Sequence, residues 1–364
     1  MKGYRISLCT TCMNRLVHLK QTLLKNIFDN QDYENLEFVL LDYNSTDGLE
    51  DYVKSNLSVF IEQKKLFYYK TKIPENYNMS HSRNLAFKLA SGDIVCNIDA
   101  DNFTGSGFAS FVNKVFEDNG DIYLSTHQPI LVKKDVLGRI CVKKDDFMAV
   151  GGYDERMKYY GFDDYDFAGR LEIYGRKKQL INSPEFLKAI PHSDKERMNN
   201  WLNIDYLHSL YIRYLSPSQS QLCFLFKNGD VVRGTMVNNL VYNATIANSN
   251  TMRSCKYGFS IAEKLWESGK WTIDNGAIKL IINSLEIILQ PDKLKGINVL
   301  RYQDNIYYKI TIKPMIEEAI FFFHQTSNRI IFEENISQRI YKVNESGFGE
   351  VADFAFLLSD KQFA

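Results

Sequence analysis

Apolar residues change their spacing along this chain, and the change divides it. Over the first 190 residues, short apolar runs alternate with segments whose apolar residues recur every three or four positions. "RISLCTT" reads as a strand, and Leu16, Leu19, Leu23, Leu24 and Ile27 then repeat at helical spacing. "LEFVLLDY" is a second buried strand, and "NSTDG" is a turn-and-cap cluster leading into a short helix over Leu49 to Leu57. "KLFYYKTK" makes a third strand, after which Ser80 is placed to cap a helix through Asn84, Leu85, Lys88 and Leu89. "DIVCNID" is the fourth strand, and Phe108, Phe111, Val112 and Val115 mark the next helix. Repeated strand–helix alternation predicts an α/β fold with a largely parallel sheet covered by helices on both faces.

Beyond "YLSPSQSQ" the period shortens. "QLCFLFKNGDVVRGTMV", "AIKLIINSLEIIL", "NVLRYQDNIYYKITI" and "AIFFFHQTSNRIIFE" all read as β-hairpins, with turns expected at Asn228-Gly229 and Asp304-Asn305. A helical stretch is expected near Ile261 to Trp266. The reading is two domains: residues 1–215, and an antiparallel β-rich domain over 222–364, sandwich or barrel. No internal repeat or low-complexity tract interrupts them.

Charge narrows the function classes. The 364 residues carry 44 Lys plus Arg against 44 Asp plus Glu, so no global basic field points to nucleic acid or an anionic membrane. No segment has the length and purity of a transmembrane helix, and the start turns polar too soon for a signal peptide. The default expectation is a soluble cytoplasmic protein. Six scattered cysteines look like reduced thiols. "CTTC", Cys9 to Cys12, has the context of a thioredoxin-like redox motif, although strand filling explains it more simply. No second such pair completes a zinc site. The sequons at Asn44 and Asn102 read as coincidence.

The sharpest anomaly is "GDIVCNIDADNF". Asp99 and Asp101 arrive where a buried strand ends, at the carboxyl edge where open α/β sheets bind ligands, and Asp42 ends another strand there. Two solvated or capping turn carboxylates would give the same pattern. Neighbouring carboxylates nonetheless repel unless a cation meets them, and a divalent cation so held keeps open positions for diphosphate oxygens.

Further motifs accompany this pair: "ISLCTTCMNR", "LLDYNSTDG", "SRN…ASGD" and "VGGYDE" in order, with "NRLVHLK", "GFDDYDFAGRL" and "IPHSDKE". Together they resemble the inverting nucleotide-sugar glycosyltransferases of the GT-A fold, a Rossmann-like architecture. A closer likeness is to the β-1,4-galactosyltransferase family and the related bacterial chondroitin-polymerase-type enzymes. The resemblance covers about residues 4–200 and none of the C-terminal part.

The resemblance implies roles for individual residues. Asp101 and His192 would be ligands of Mn²⁺, with Mg²⁺ the alternative, and Asp99 would face the ribose or donor sugar. Asp164 would be the base that takes the acceptor hydroxyl proton, with Asp163 binding the acceptor sugar. A slip of register in "DDYD" leaves Asp166 open for the same role. Gly151 and Gly152 would let backbone approach the sugars closely and are grouped with the acceptor-binding residues. Asn14, Arg15, Asp42 and Arg83 would line the nucleotide site. Many relatives carry a second acid where this chain has Tyr43, so uridine recognition would shift to Asp42 or to stacking on Tyr43.

The resulting expectation is a metal-dependent inverting transferase. It would move a hexose or N-acetylhexosamine from a UDP-sugar to a carbohydrate hydroxyl, in bacterial surface polysaccharide or glycoconjugate synthesis. The rivals are a GT-A module that binds sugar or nucleotide without turnover, and a thiol oxidoreductase at "CTTC".

Overall fold

The computed structural model describes residues 3–126, 134–191, 196, 200–201, 204–216, 219–238, 257–258 and 266–351. The chain forms two compact units, Met1–Trp201 with Ile331–Ala364, and Leu202–Ile330. The second unit therefore begins earlier than the expected 222, and the segment from Ile331 onward groups with the first unit instead.

The first unit is built on a seven-stranded sheet of order β3-β2-β1-β4-β7-β6-β8. Its strands are β1 (Ile6–Cys12), β2 (Leu36–Tyr43), β3 (Leu66–Thr71), β4 (Ile94–Asn97), β6 (Ile122–Ser125), β7 (Ile140–Lys143) and β8 (Lys177–Leu180). All neighbours pair in parallel except β7, which runs antiparallel to β4 and β6. Alternation along the strands feeds two separate cores. Phe38, Leu40, Ile94, Cys96, Ile122 and Leu124 face one, while Val39, Leu41, Val95 and Tyr123 face the other.

Helices α1 (Leu16–Asp29), α2 (Leu49–Asn56), α3 (Ser58–Glu62) and α5 (Phe108–Asp118) contribute to the first core. Helices α4 (Met79–Leu89), α6 (Lys144–Ala149) and α7 (Asp163–Ile173) contribute to the second. This is the expected sheet covered on both faces. The N-cap of α4 is Asn78, whose side chain accepts from His81 N at 3.1 Å; Ser80 lies inside the helix and is buried. A two-residue ribbon pairs β5 (Asn102–Phe103) with β9 (Lys188–Ala189) and lays residues 188–190 along the acidic loop.

The second unit is a closed barrel. Eight antiparallel strands, β10 (Leu207–Ser216), β11 (Gln219–Phe226), β12 (Asp230–Asn238), β14 (Trp266–Asp274), β15 (Ala277–Ile282), β16 (Leu285–Asp292), β17 (Gly296–Tyr302) and β18 (Asn305–Ile310), pair around a ring. The β10–β18, β11–β12 and β12–β14 pairings complete the circuit, and β13 (Tyr257–Gly258) pairs with the end of β12. Tyr211, Leu225, Leu280, Leu289, Leu300 and Tyr307 help to fill it. The turns at Asn228-Gly229 and after Tyr302 stand close to where the sequence puts them.

Two expectations fail or fall outside this unit. Most of the stretch Ile261 to Trp266 lies outside the described residues, and Trp266 opens β14. "AIFFFHQTSNRIIFE" is no hairpin but part of a helix, α8 (Lys313–Ser337). Its buried positions Ala319, Ile320, Phe323, His324, Asn328 and Asn335 recur at helical spacing, and their polar members disguise the stripe. No helix among the described residues is long and apolar enough to cross a membrane.

Candidate active site

Helix α4 reads as polar, "MSHSRNLAFKL", yet Ser80, Ser82, Arg83, Asn84, Leu85, Ala86 and Phe87 are all buried. Leu85, Ala86 and Phe87 join the second core, and Arg83 is buried among acids. Its Nη1 donates to Asp163 at 2.5 Å and to Asp164 at 2.6 Å, and its Nη2 donates to Asp99 at 3.1 Å. One guanidinium thus joins the end of β4 to the first turn of α7. The planar fork of arginine suits several carboxylates at once, where a lysine point charge would not. The cation that the acidic strand end demands is, for Asp99, a residue of this chain.

The three carboxylates differ in exposure. The Asp99 side chain is 31% exposed, Asp164 16% and Asp163 only 4%. Burial opposes the charge on Arg83, but Asp164, Asp99 and Asp163 outweigh it and hold the guanidinium firmly protonated. Burial and the charge of Asp164 push the Asp163 carboxyl above the ordinary carboxylate range, against the pull of Arg83. All three acids of α7's first turn sit at the helix N-terminus, where its dipole favours negative charge.

Asp166, the alternative left open by the register of "DDYD", is closed off from solvent. It is fully buried, pairs with Arg170 Nε at 2.7 Å and accepts from Asn335 at 2.8 Å. Arg170 in turn donates to the Val150 and Gly152 carbonyls, so this pair anchors the helix and turns no oxygen outward.

The acidic loop is held from behind. Thr22, Asn26 and Asn30 project from one line of α1 and its end, each buried. They reach Ala100 O at 2.7 Å, Asn102 O at 2.9 Å and Thr104 Oγ1 at 2.8 Å. Asn102 donates to Asp101 Oδ1 at 2.8 Å, and buried Arg139 donates to Asn102 Oδ1 at 3.2 Å. Burial lowers the Arg139 pKa to about 10. Gly138 stands beside the clamp: a Cβ there would lie 2.5 Å from Arg83 Nη2 and 2.6 Å from Asp99 Oδ2.

These supporting residues were not singled out from sequence. A signal existed for the α1 line, because Thr22, Asn26 and Asn30 recur every four residues beside the apolar stripe.

Other expected residues fall in different places. Asn14 is exposed with a left-handed φ of 53°, and its side chain accepts from Thr46 N at 2.7 Å, clasping the first two loops. Half-buried Arg15 donates to the Glu196 carbonyl. Both stand at the carboxyl edge of the sheet, as expected.

Asp42 is fully buried and accepts from Ser45 N and Tyr68 Oη, each at 2.7 Å. Tyr43 is also buried, its phenol 2.8 Å from His81 Nδ1 and its ring packed on Tyr77, so it has no face for a base to stack on. Direct uridine reading by either residue is not supported by these positions.

Gly151 and Gly152 are buried, with φ of 74° and 68°. A Cβ on Gly151 would fall on the Val343 carbonyl, and one on Gly152 on the Asn84 side chain. Packing within the chain is enough to require glycine at both positions. Gly151→Ala is expected to cost at least about 1–3 kcal/mol of stability. Thermal unfolding checks this, and an unchanged midpoint would refute it.

Asp101 is half-buried at the loop, and its carbonyl accepts from Ile190 N at 2.9 Å. That contact brings the chain to the acidic loop two residues before His192, which itself lies outside the described residues. Among the described residues, no group of three or more His, Cys, Asp or Glu is arranged to hold a metal.

The redox reading of "CTTC" fails. Both cysteines lie within β1, three residues apart, and so face opposite sides of the sheet, Cys9 in one core and Cys12 in the other. Burial pushes the Cys12 thiol up to about 12, and the Cys9 thiol is raised for the same reason.

Comparison with known proteins bears on this geometry. Residues 7–139, from β1 through Arg139, match the family Glycosyl transferase family 2. The match takes in the two loops clasped by Asn14, all of α4 with Arg83, and the acidic strand end. A curated relative from Haemophilus influenzae, described as an uncharacterized glycosyltransferase, is 31% identical over 98 residues. Those residues are 27% of this chain and 36% of that protein, so the likeness spans about a third of the relative.

Among solved structures, the mannosyltransferase PcManGT from Pyrobaculum calidifontis, in complex with GDP-Man and Mn²⁺, is 20% identical with a TM-score of 0.43. The match covers 53% of this chain and 59% of that one. TarS from S. aureus is 9% identical with a TM-score of 0.42, covering 85% of each chain.

Proposed function

We propose that this chain is an inverting nucleotide-sugar glycosyltransferase, moving a hexose or N-acetylhexosamine from a UDP-sugar to a carbohydrate hydroxyl. The observation that carries the reading is the arrangement around Arg83. Asp164, partly open to solvent, is fixed through one guanidinium opposite Asp99 at the carboxyl edge of a parallel sheet. The family match over residues 7–139 supports it.

In this reading Asp164 accepts the acceptor hydroxyl proton while that oxygen bonds the anomeric carbon. The carbon–oxygen bond to the diphosphate breaks, and its electron pair leaves with UDP. Attack from the face opposite the leaving group inverts the configuration. Asp163, the more buried neighbour, holds Arg83 in register. Asp99 faces the donor, and Asn14 and Arg15 frame the nucleotide. Asp42 and Tyr43 are buried and engaged within the chain, so this reading assigns uridine specificity to other groups. The likeness to galactosyltransferases and chondroitin polymerases belongs to this proposal as a guide to which donors to test.

A divalent ion, Mn²⁺ or Mg²⁺, fits as a partner of the diphosphate. Such hard cations are held by one or two carboxylates plus substrate phosphates, and Asp101, whose Oδ1 accepts from Asn102, would supply one. His192 would be the second ligand. When bound, the ion neutralises charge on the leaving diphosphate.

The test is UDP release from a panel of UDP-sugars with and without chelator. Chelation is expected to lower turnover at least about tenfold and added Mn²⁺ to restore it, since metal charge stabilisation amounts to several kcal/mol. Undiminished turnover in EDTA would remove the metal from the proposal. No release from any nucleotide sugar, metal present, would sink the enzymatic reading.

A further inference from the structure

The segment from Ile331 onward lies outside the family match, yet it packs into the unit that carries the candidate site. Among its described residues the polar Asn335 is fully buried, near the end of α8. The side-chain amide donates to Asp166 Oδ1 at 2.8 Å and to Asp154 Oδ2 at 2.9 Å. Its Oδ1 accepts from Arg156 Nη2 at 2.8 Å. The side chain therefore stands between two buried carboxylates and uses both kinds of hydrogen-bonding atom. An apolar residue there would leave each carboxylate with one partner fewer, a costly change in a dry interior.

What Asn335 touches gives it a bearing on the site. Asp166 lies two residues after Asp164 in the first turn of α7, and its backbone N–H closes that turn on the Phe162 carbonyl at 2.9 Å. Phe162 has a left-handed φ of 67°, an uncommon conformation for a bulky residue that neighbouring contacts must hold in place. Arg170 fixes Asp166 Oδ2 from within the same helix. Asn335 fixes Oδ1 from the C-terminal segment and ties it to Asp154, on the loop before α7. These two bonds hold both oxygens of Asp166 in the turn that also carries Asp164, whose own carboxylate is held by Arg83.

We propose that Asn335 is a positioning residue for the base Asp164, acting through Asp166, and that the C-terminal segment is in this sense part of the catalytic unit. The proposal rests on the glycosyltransferase reading. It adds a residue about 170 positions from the base, supplied by a part of the chain that the family match does not reach.

The test uses the full chain with Asn335→Leu, read by steady-state UDP release and by hydrogen exchange at the α7 amides. The expected result is a kcat lowered about 10- to 100-fold with the donor KM within about threefold, since small misplacements of a reacting group cost this much. Faster exchange at the Asp166 amide is expected with it, and Asn335→Ser, which keeps one hydroxyl donor, is expected to recover part of the loss. Should the leucine variant not fold, the serine variant is read against wild type by the same two measurements. An unchanged kcat in the folded variant would overturn the proposal, as would unchanged exchange at α7. A lower melting point with kcat per folded molecule intact would reduce Asn335 to a structural role and overturn it equally. Wild-type protein that turns over no nucleotide sugar would instead overturn the glycosyltransferase reading, while the exchange data still report whether Asn335 holds α7.

Discussion

Asp164→Asn is expected to lower sugar transfer by about 100- to 10,000-fold, the range general base catalysis supplies. The substitution keeps the shape of the side chain and an oxygen for Arg83, so the helix start has no steric reason to move. It also removes the charge that helps to push Asp163 up. Asp163 then ionises more readily and takes over the neutralisation of Arg83, which preserves the fold while the base is lost. Donor affinity is expected to change little, because Asp164 acts on the acceptor hydroxyl. Initial rates of UDP release at saturating donor and acceptor, with donor KM measured alongside, decide the matter. Turnover near that of wild type would show that Asp164 is not the base.

Arg83→Leu is expected to be the most damaging single change at the site for stability, by about 3–5 kcal/mol, the cost of stripping one partner from a buried charge network. Arg83 has a side-chain exposure of 2% and three carboxylate partners, so its loss leaves like charges facing one another. The effect has a pH signature. Asp163 already has its folded pKa above its ordinary value, and without the guanidinium it rises further. A carboxyl raised in the folded state favours that state below its unfolded pKa and withdraws the benefit as pH climbs through the folded one. Below the wild-type folded pKa of Asp163, about 8, both folded proteins hold that proton alike, so the deficit of Arg83→Leu relative to wild type should grow from about pH 8 to about pH 10. Unfolding midpoints of both proteins across that interval check it. A deficit independent of pH would mean that lost packing, not the charge clamp, explains the damage.

The contrast between Asp99 and Arg83 shows what kind of information each level carries. That Asp99 needed a cation follows from two carboxylates at the end of an apolar strand, a local pattern. That Arg83 meets Asp99 does not follow from any local pattern, and still less that it also reaches Asp163 and Asp164, some 80 residues further on. Sequence placed Arg83 beside the nucleotide because it carries a cation in a helix first turn. Its burial, which only packing reveals, turns it inward to the acids. The burial of Tyr43 and Asp42 was likewise hidden from the local pattern. Both end β2 at the ligand edge, but their side chains are buried among Ser45, Tyr68, Tyr77 and His81.

Local hydrophobic pattern by itself determined the first four strands of the first unit with helices α1, α2, α4 and α5, its two-faced sheet and most hairpins of the second unit, because alternation and helical spacing are set by neighbours a few residues apart. It also located the acidic strand end and the acidic start of α7. Tertiary structure alone decided the rest. Barrel rather than sandwich depends on β10 pairing with β18, Leu210 opposite Ile310, since the same hairpins serve either architecture. The helical fate of residues 313–337 depends on partners for buried His324, Asn328 and Asn335, polar residues that blur the apolar stripe. Which of Asp163, Asp164 and Asp166 keeps an opening to solvent depends on which carboxylate the fold buries. A residue's type is written in the chain, but its burial and its partner are properties of the packed whole.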